Sequence, residues 1–169
     1  MLSRKPQLTK SDVEKIEAEI EERKLVIRPQ LIGEVKEARA QGDLSENFEY
    51  YAAKKAKNEN EGRIRYLEQM LKSAQVISDA SGADEVGLNN TVTLYFEEDR
   101  EEQVYKIVTS IRGNSLENRV SNESPIGRAV MGHKVGDRVA VKVNSDYSYY
   151  VQIRAIDKTT TEDDEIKRF

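Results

Sequence analysis

Apolar side chains recur at Val13, Ile16, Ile20, Ile27, Leu31, Val35 and Ala38, and again at Ala53, Ala56, Ile64, Leu67, Leu71 and Ala74, with charged or amide residues filling most positions between them. Steps of three, four, seven and eight keep one face of a helix apolar turn after turn. Neither stripe is wide enough to face a large core, so the spacing predicts two long helices zipped together as an antiparallel coiled-coil hairpin. Each arm is then about 40 Å long at about 1.5 Å per residue, and residues 41–47 form the tip.

Punctuation along the chain refines this picture. Ser11-Asp-Val-Glu14 matches a capping box and places the first helix start near Thr9 or Ser11. Pro29 lies inside the first stripe and predicts a kink or local break near residues 25–29, because proline lacks the amide hydrogen and crowds the preceding turn. Gly42 suits the left-handed stop of that helix, and Asp43-Leu-Ser-Glu46 is a second capping box opening the return helix. Val76-Ile77 and residues 78–82 read as a linker.

From Asn90 onward the period falls to two. Val92, Leu94 and Phe96 alternate with Thr91, Thr93 and Tyr95, and after the charged turn 97–102 come Val104, Tyr105, Ile107 and Val108, which predicts a hairpin. A short strand is expected at 119–121. Ser124-Pro125 is a cap followed by proline at the first helical position, with Gly132 closing a short helix over 126–131. Val139, Val141 and Val143, then Tyr149, Val151, Ile153 and Ile156, make two further strands. The expected fold class is α+β: a coiled-coil domain over 1–78, a small antiparallel β-sheet domain with one short helix over 79–158, and a polar, acidic, frayed tail over 159–169.

Composition narrows the function. At 34% charged and 37% hydrophobic residues the chain reads as a water-soluble protein with a modest core, and no apolar run approaches the roughly 20 residues needed to span a bilayer. The first residues lack the apolar stretch of a secretory signal, and there are no cysteines, which removes disulfides, thiolate metal sites and cysteine nucleophiles and suits a cytoplasmic location without a membrane partner. His133 is the single histidine, so a histidine-rich metal site is excluded. Lys and Arg number 15 against 14 Asp and Glu in residues 1–78, and 12 against 17 in residues 79–169. The acidic balance argues against wrapping duplex DNA, where clustered cations supply most of the affinity.

The tip holds the candidate chemistry. Asp43 and Glu46 read either as a helix cap or as two hard oxygen ligands for Mg²⁺, which favours carboxylates and water over a full protein cage. Two ligands are too few for a private site and suffice only if a partner supplies the rest. Lys36, Arg39, Lys54, Lys55 and Lys57, with Phe48, Tyr50 and Tyr51, form the basic and aromatic mixture that suits a single-stranded nucleic acid, or else a solvated surface with the tyrosines packed in the neck of the hairpin.

These residues carry a family resemblance. Glu37-Ala-Arg-Ala-Gln-Gly-Asp-Leu-Ser-Glu-Asn-Phe-Glu-Tyr50, followed by Ala52-Ala-Lys, Glu61-Gly-Arg-Ile64 and Ala74-Gln-Val-Ile77, resembles the tip and return helix of the Gre family of bacterial transcript cleavage factors, its GreA branch more than its GreB branch. Ser124-Pro-Ile-Gly-Arg-Ala129 and Gly132-His-Lys-Val-Gly-Asp137 resemble two further motifs of that family, so the likeness runs over about 8–157. It implies an FKBP-like second domain that docks on the rim of bacterial RNA polymerase, with Ser124, Pro125 and Ile126 as docking candidates, and a coiled coil that enters the secondary channel. It further implies that Asp43 and Glu46 help hold a second Mg²⁺ in the polymerase active site and orient the water that attacks a backtracked transcript. Arg39, Lys54 and Lys55 are then candidates for contact with the nascent RNA 3′ end, and Gly42, Ser45, Asn47 and Tyr50 support the tip.

By this likeness the chain is a cofactor of the polymerase's own cleavage activity and not itself an enzyme. It binds no Mg²⁺ stably when free and is expected to be monomeric. Phe48 stands where the family commonly has a small residue, and His133 where it has lysine. Two other readings remain at this point: a channel-binding regulator that inhibits without cleavage, and a coiled-coil interaction protein unrelated to polymerase.

Overall fold

The computed structural model describes residues 5–42, 47–158 and 164–167. They divide into two compact units, one holding 5–6 and 13–74, the other 7–12, 75–158 and 164–167.

Helix α1 (Lys10–Glu22) has its first turn in the second unit and from Val13 belongs to the first, where it continues through a π-helical turn, Arg23–Ile27, into α2 (Arg28–Ala40), and α3 (Phe48–Ser73) returns. Side-chain pairs run from Glu19–Arg63 through Arg23–Asn60 to Asn47–Ala38, so partner numbers fall as chain numbers rise and the hairpin is antiparallel. The apolar stripes face inward: Ile16, Val35, Ala38, Ile64 and Leu67 are buried. The break expected near Pro29 is the π turn, in which the Arg28 amide reaches back five residues to the Arg23 carbonyl. A widened turn immediately before proline removes the clash that its ring makes with an α-helical carbonyl four residues earlier. The extra residue turns Leu25 and Val26 outward, 67% and 59% exposed.

Around this turn the seam is polar. Asn60 and Arg63 are buried, and they extend the series Ala56, Asn60, Arg63, Leu67 in heptad steps. Asn60 accepts from Arg23 Nη1 at 2.9 Å and donates to the Arg23 carbonyl at 3.3 Å, the same oxygen that closes the π turn. Glu19 accepts from Arg63 Nε at 2.9 Å and from Arg23 Nε at 3.3 Å, and Arg28 grips Glu61 with two bonds of 2.7 and 2.8 Å. A one-step slip would strand these groups against apolar neighbours, so the polar layer fixes register.

Burial pushes the Glu19 carboxyl up, but its bonds and charge contacts with Arg63 and Arg23 outweigh that and hold it below the ordinary carboxylate range. The bidentate bond from Arg28 holds Glu61 low as well. A carboxyl with a depressed folded value stabilises fully above its unfolded value and loses that contribution as pH falls through the folded one. Helicity at 222 nm is therefore expected to hold its thermal midpoint from pH 7 to about 5 and to lose it steadily in more acidic solution. Glu19→Gln should lower the midpoint at pH 7 and flatten its acid dependence; an unchanged acid slope would rule Glu19 out as a contributor.

The second unit is a sheet with one short helix. Its strands are β3 (Thr91–Phe96), β4 (Glu101–Val108), β5 (Arg119–Ser121), β6 (Arg138–Lys142) and β7 (Ser148–Asp157), in the order β5-β4-β3-β7-β6, and α4 (Pro125–Val130) packs on it. A separate two-stranded parallel pair joins β1 (Gln7–Leu8) to β2 (Gln75–Val76). Val76 and Ile77, read from sequence as the start of a linker, are thus bonded structure, with the Ile77 amide on the Leu8 carbonyl at 2.8 Å.

Val86, Val92, Leu94, Ile107, Val130, Val139, Val141, Val151 and Ile153 form the core. A register shift sets Thr93 opposite Ala155 but Leu94 opposite Ile153, so Arg154 is the extra residue of a β-bulge. That bulge explains how Ile153 and Ile156 both turn to the core across an odd spacing. The α+β class holds, with one correction to the expected antiparallel sheet: β5 pairs parallel to β4. Parallel neighbours need a crossover, and residues 109–118 supply it through two 3₁₀ turns, Ser110–Arg112 and Ser115–Glu117, with Asn118 in the left-handed region at φ +54°. Ser124 caps α4 by accepting the Gly127 amide, and a Cβ on Gly127 would lie 2.1 Å from the Ser121 carbonyl, so only glycine fits there.

Two sequence expectations are corrected at the ends of this unit. The cap of α1 is Thr9 with Asp12, not Ser11 with Glu14: the Thr9 amide donates to Asp12 Oδ2 at 2.9 Å and the Asp12 amide to Thr9 Oγ1 at 3.2 Å. Asp12 prevails because its carboxylate also takes Arg112 Nε and Thr109 Oγ1, both at 2.7 Å, in a site where all three side chains are buried. The described part of the tail, 164–167, is anchored instead of frayed. Asp164 accepts from Lys106 Nζ at 2.7 Å and Arg112 Nη1 at 3.2 Å, and the Lys167 amide donates to the Ile111 carbonyl at 2.6 Å. Opposite charge holds a segment that composition alone marks as solvated.

Candidate functional site

The loop between α2 and α3 is bounded by two fixed ends. Gln41 closes α2 with its amide on the Ala38 carbonyl, and Gly42 follows at φ +111°, a backbone that a side chain would strain. On the other side Asn47 adopts an extended backbone and caps α3, its Oδ1 accepting the Tyr50 amide at 3.0 Å. Its Nδ2 donates at 2.7 Å to the Ala38 carbonyl on the facing helix. One amide side chain therefore starts the return helix and ties it to the end of the outgoing one, which a carboxylate, having no donor, cannot do.

Asp43, Leu44, Ser45 and Glu46 lie outside the described residues. The capping of α3 is nonetheless assigned, and it falls to Asn47, four positions after Asp43. The cap read from sequence at Asp43 is thus at Asn47, and α3 begins at Phe48.

Asn47→Ala is expected to lower unit stability by about 2 kcal/mol, about 1 for the cap and about 1 for the bond to Ala38. Asn47→Asp keeps the acceptor and loses the donor, so it should recover roughly half. Thermal melts followed at 222 nm measure both; if Asn47→Asp proves as stable as wild type, the cross-helix bond drops out of the account.

Beside the loop, Arg39, Tyr50 and Lys54 come together. The Arg39 guanidinium lies 5.7 Å from the Tyr50 ring centroid. A hydrogen bond from Arg39, aided by the nearby Lys54 charge, holds the Tyr50 phenol below its usual range. Lys55 points elsewhere, 79% exposed and 4.0 Å from Glu59. Tyr51 is exposed and edge-on to Tyr50 at 5.6 Å, and Phe48 is 85% exposed, so of the three aromatics only Tyr50 is partly buried in the neck of the hairpin.

Sequence reasoning missed an acidic counterpart to this basic edge. Glu34, Glu37 and Glu49 line an open groove of about 410 Å³ with Ala38, Ala53 and Ala56 among its small residues. The signal was present as carboxylates on the flank of an alanine-rich seam. Among the described residues no group of three or more His, Asp or Glu side chains is arranged to hold a metal ion, and no helix is long and apolar enough to cross a membrane.

In the second unit the docking candidates have internal tasks. Ser124 Oγ accepts the Gly127 amide at 3.0 Å and donates to the Ser121 carbonyl at 2.6 Å, and Ile126 packs against the core. Pro125 is left half exposed at the first turn of α4. His133 is exposed and bonded through Nδ1 to Asp137 at 3.1 Å, which is local turn chemistry.

Comparison with known proteins covers most of both units. A family model described as "Transcription elongation factor, N-terminal" matches residues 6–76, and one described as "Transcription elongation factor, GreA/GreB, C-term" matches residues 80–158. Transcription elongation factor GreA of Streptococcus suis is 43% identical over 153 residues, which is 90% of this chain and 95% of the relative. The GreA of Streptococcus sanguinis is 44% identical over the same length and shares. Among solved structures, the GreA factor homolog 1 (Gfh1) protein of Thermus thermophilus is 26% identical, covering 90% of this chain and 99% of that one at a TM-score of 0.43. With both halves matched in order and close relatives aligned over nine-tenths of its length, the chain belongs to the GreA/GreB family of transcription elongation factors.

Proposed function

We propose that the chain is a bacterial elongation factor that inserts the 41–47 loop through the secondary channel of RNA polymerase and stimulates endonucleolytic cleavage of backtracked nascent RNA. The observation that carries this is the Asn47 cap. Asn47 caps α3 by itself accepting the Tyr50 amide, in a chain that belongs to this family and whose 41–47 loop carries both carboxylates in its sequence.

In this reading the chain acts in the cytoplasm as a monomeric cofactor, and the polymerase retains the hydrolytic activity. When bound between the two proteins, Mg²⁺ supplies charge stabilisation to the oxygens of the scissile phosphodiester. Asp43 and Glu46 add hard oxygen ligands from the tip. Arg39 and Lys54, steadied beside Tyr50, offer positive charge to the backbone at the RNA 3′ end, with Lys55 more loosely placed. Pro125 and its neighbours Ser124 and Ile126 present the docking surface of the second unit to the polymerase rim.

A purified backtracked elongation complex, incubated with Mg²⁺ in the presence and absence of the chain, tests the reading directly. Accelerated release of short 3′ fragments supports it. A second reading draws on Phe48, whose exposed ring beside the loop adds bulk at the tip: a channel-binding regulator that inhibits polymerase. Binding without accelerated cleavage would select that reading, and no binding would remove both.

A further inference from the structure

We propose that Lys106, Arg112 and Arg119 form an oxyanion site of phosphate class, which the chain's own Asp164 occupies as a tethered plug. Lys106 on β4 and Arg119 on β5 are direct partners in the parallel ladder, and Arg112 sits on the 3₁₀ turn of the crossover between them. Arg119 Nε donates to the Arg112 carbonyl at 2.9 Å, so the cradle is held by its own backbone. The side chains of Lys106, Arg112 and Arg119 are only 15%, 0% and 13% exposed. Asp164 Oδ2 takes Lys106 at 2.7 Å and Arg112 at 3.2 Å, while Oδ1 lies 3.8 Å from Arg119.

Two observations say that a carboxylate under-fills this cradle. Arg112 Nη2 is buried without a hydrogen-bond partner among the described residues, and a buried donor left unmade is costly. The 3.8 Å from Asp164 Oδ1 to Arg119 Nη1 is beyond hydrogen-bond reach, so the plug binds two of its three cations closely and the third only through charge. A carboxylate offers two oxygens in one plane. Arg112 already gives Nε to the buried Asp12 carboxylate at 2.7 Å, so the cradle offers its Nη donors together with Lys106 and Arg119, and the four oxygens of a tetrahedral oxyanion suit this divergent set better than two in one plane. The plug is held by its two close charge contacts and stays in the same molecule as the cradle, so it needs no perfect fit to occupy it. An external anion must therefore compete with the plug, and its apparent affinity is reduced by the fraction of chain in which the cradle is open.

The test is calorimetric titration of the full chain with inorganic phosphate at ionic strength held constant with chloride, for wild type and Asp164→Asn, alongside a chain lacking residues 159–169. Asp164→Asn and the shortened chain should each bind at least about 10-fold more tightly than wild type. Adding Lys106→Gln with Arg119→Gln to the Asp164→Asn chain should abolish the gain. Glycerol 3-phosphate run in parallel separates the two sources of the same chemistry, tighter binding of it marking a phosphomonoester site and of phosphate itself a free-ion site. Equal affinities of wild type and Asp164→Asn overturn the proposal, as does a gain that survives loss of Lys106 and Arg119. Thermal melts of both altered chains close the remaining gap: if each unfolds the unit, Asp164 is a structural strut and the plug does not exist.

Discussion

Asp43→Asn and Glu46→Gln are each expected to slow Mg²⁺-dependent cleavage of backtracked RNA by about 100-fold or more while leaving polymerase binding intact. The amides keep the size of the acids and lose the charge that a hard divalent ion requires. Loss of one preorganised charge contact in a metal-assisted site typically costs about 10²–10³ in rate. Asn47 caps α3, and Asn and Gln each keep a hydrogen-bonding oxygen of the acid they replace, so melting should move by no more than about 0.5 kcal/mol. Single-turnover cleavage in a stalled complex, with competition binding on the same preparations, separates chemistry from docking. Variants that cleave like wild type would end the metal-ligand assignment.

In the second unit the largest expected effect belongs to Asp12. Its carboxylate and the Arg112 guanidinium are both fully buried at 2.7 Å, with Thr109 and Thr9 completing the oxygen contacts. Asp12→Ala leaves a buried guanidinium with one carboxylate fewer, and breaking a buried pair from one side costs about 3–5 kcal/mol. Arg112→Ala should cost a similar amount. The double change Asp12→Leu with Arg112→Met should cost clearly less than the sum, because it strands no charge. The chain has eight tyrosines and no tryptophan, so tyrosine fluorescence in urea is the natural readout. Single variants that lose less than about 1 kcal/mol would show the pair to be solvated in practice.

The same residues show how much was legible beforehand. The stripe that begins at Val13 and the one that ends at Ala74 predicted both arms of the hairpin, because three-and-four spacing is a property of the helix itself. Asn60 and Arg63 sat in heptad register in plain view, yet their role needed Arg23 and Glu19 opposite them, 37 and 44 positions away. Pro29 announced a disturbance, and only the packed helix showed that it is relieved by a π turn ahead of it. At the tip the sequence placed the helix cap at Asp43 with Glu46 and gave Asn47 only a supporting role, whereas Asn47 is the cap of α3. What the sequence could not show is the Ala38 carbonyl that Asn47 also meets across the hairpin. Ile156 looked out of phase until the bulge at Arg154 restored it.

By itself, then, the sequence determined the helical hairpin, the alternating strands, the glycine and proline breaks, the α+β class and the family to which the chain belongs. These rest on local periodicity and on short motifs, both readable within a few turns of chain. Tertiary structure alone decided the parallel placement of β5, the pairing of β1 with β2, the anchoring of Asp164 and the burial of Arg112 against Asp12. Each of those joins groups far apart in sequence, 100 positions for Asp12 and Arg112. What selects them is the cost of leaving a buried charge or backbone group unpaired, and that cost exists only once the chain has closed around it.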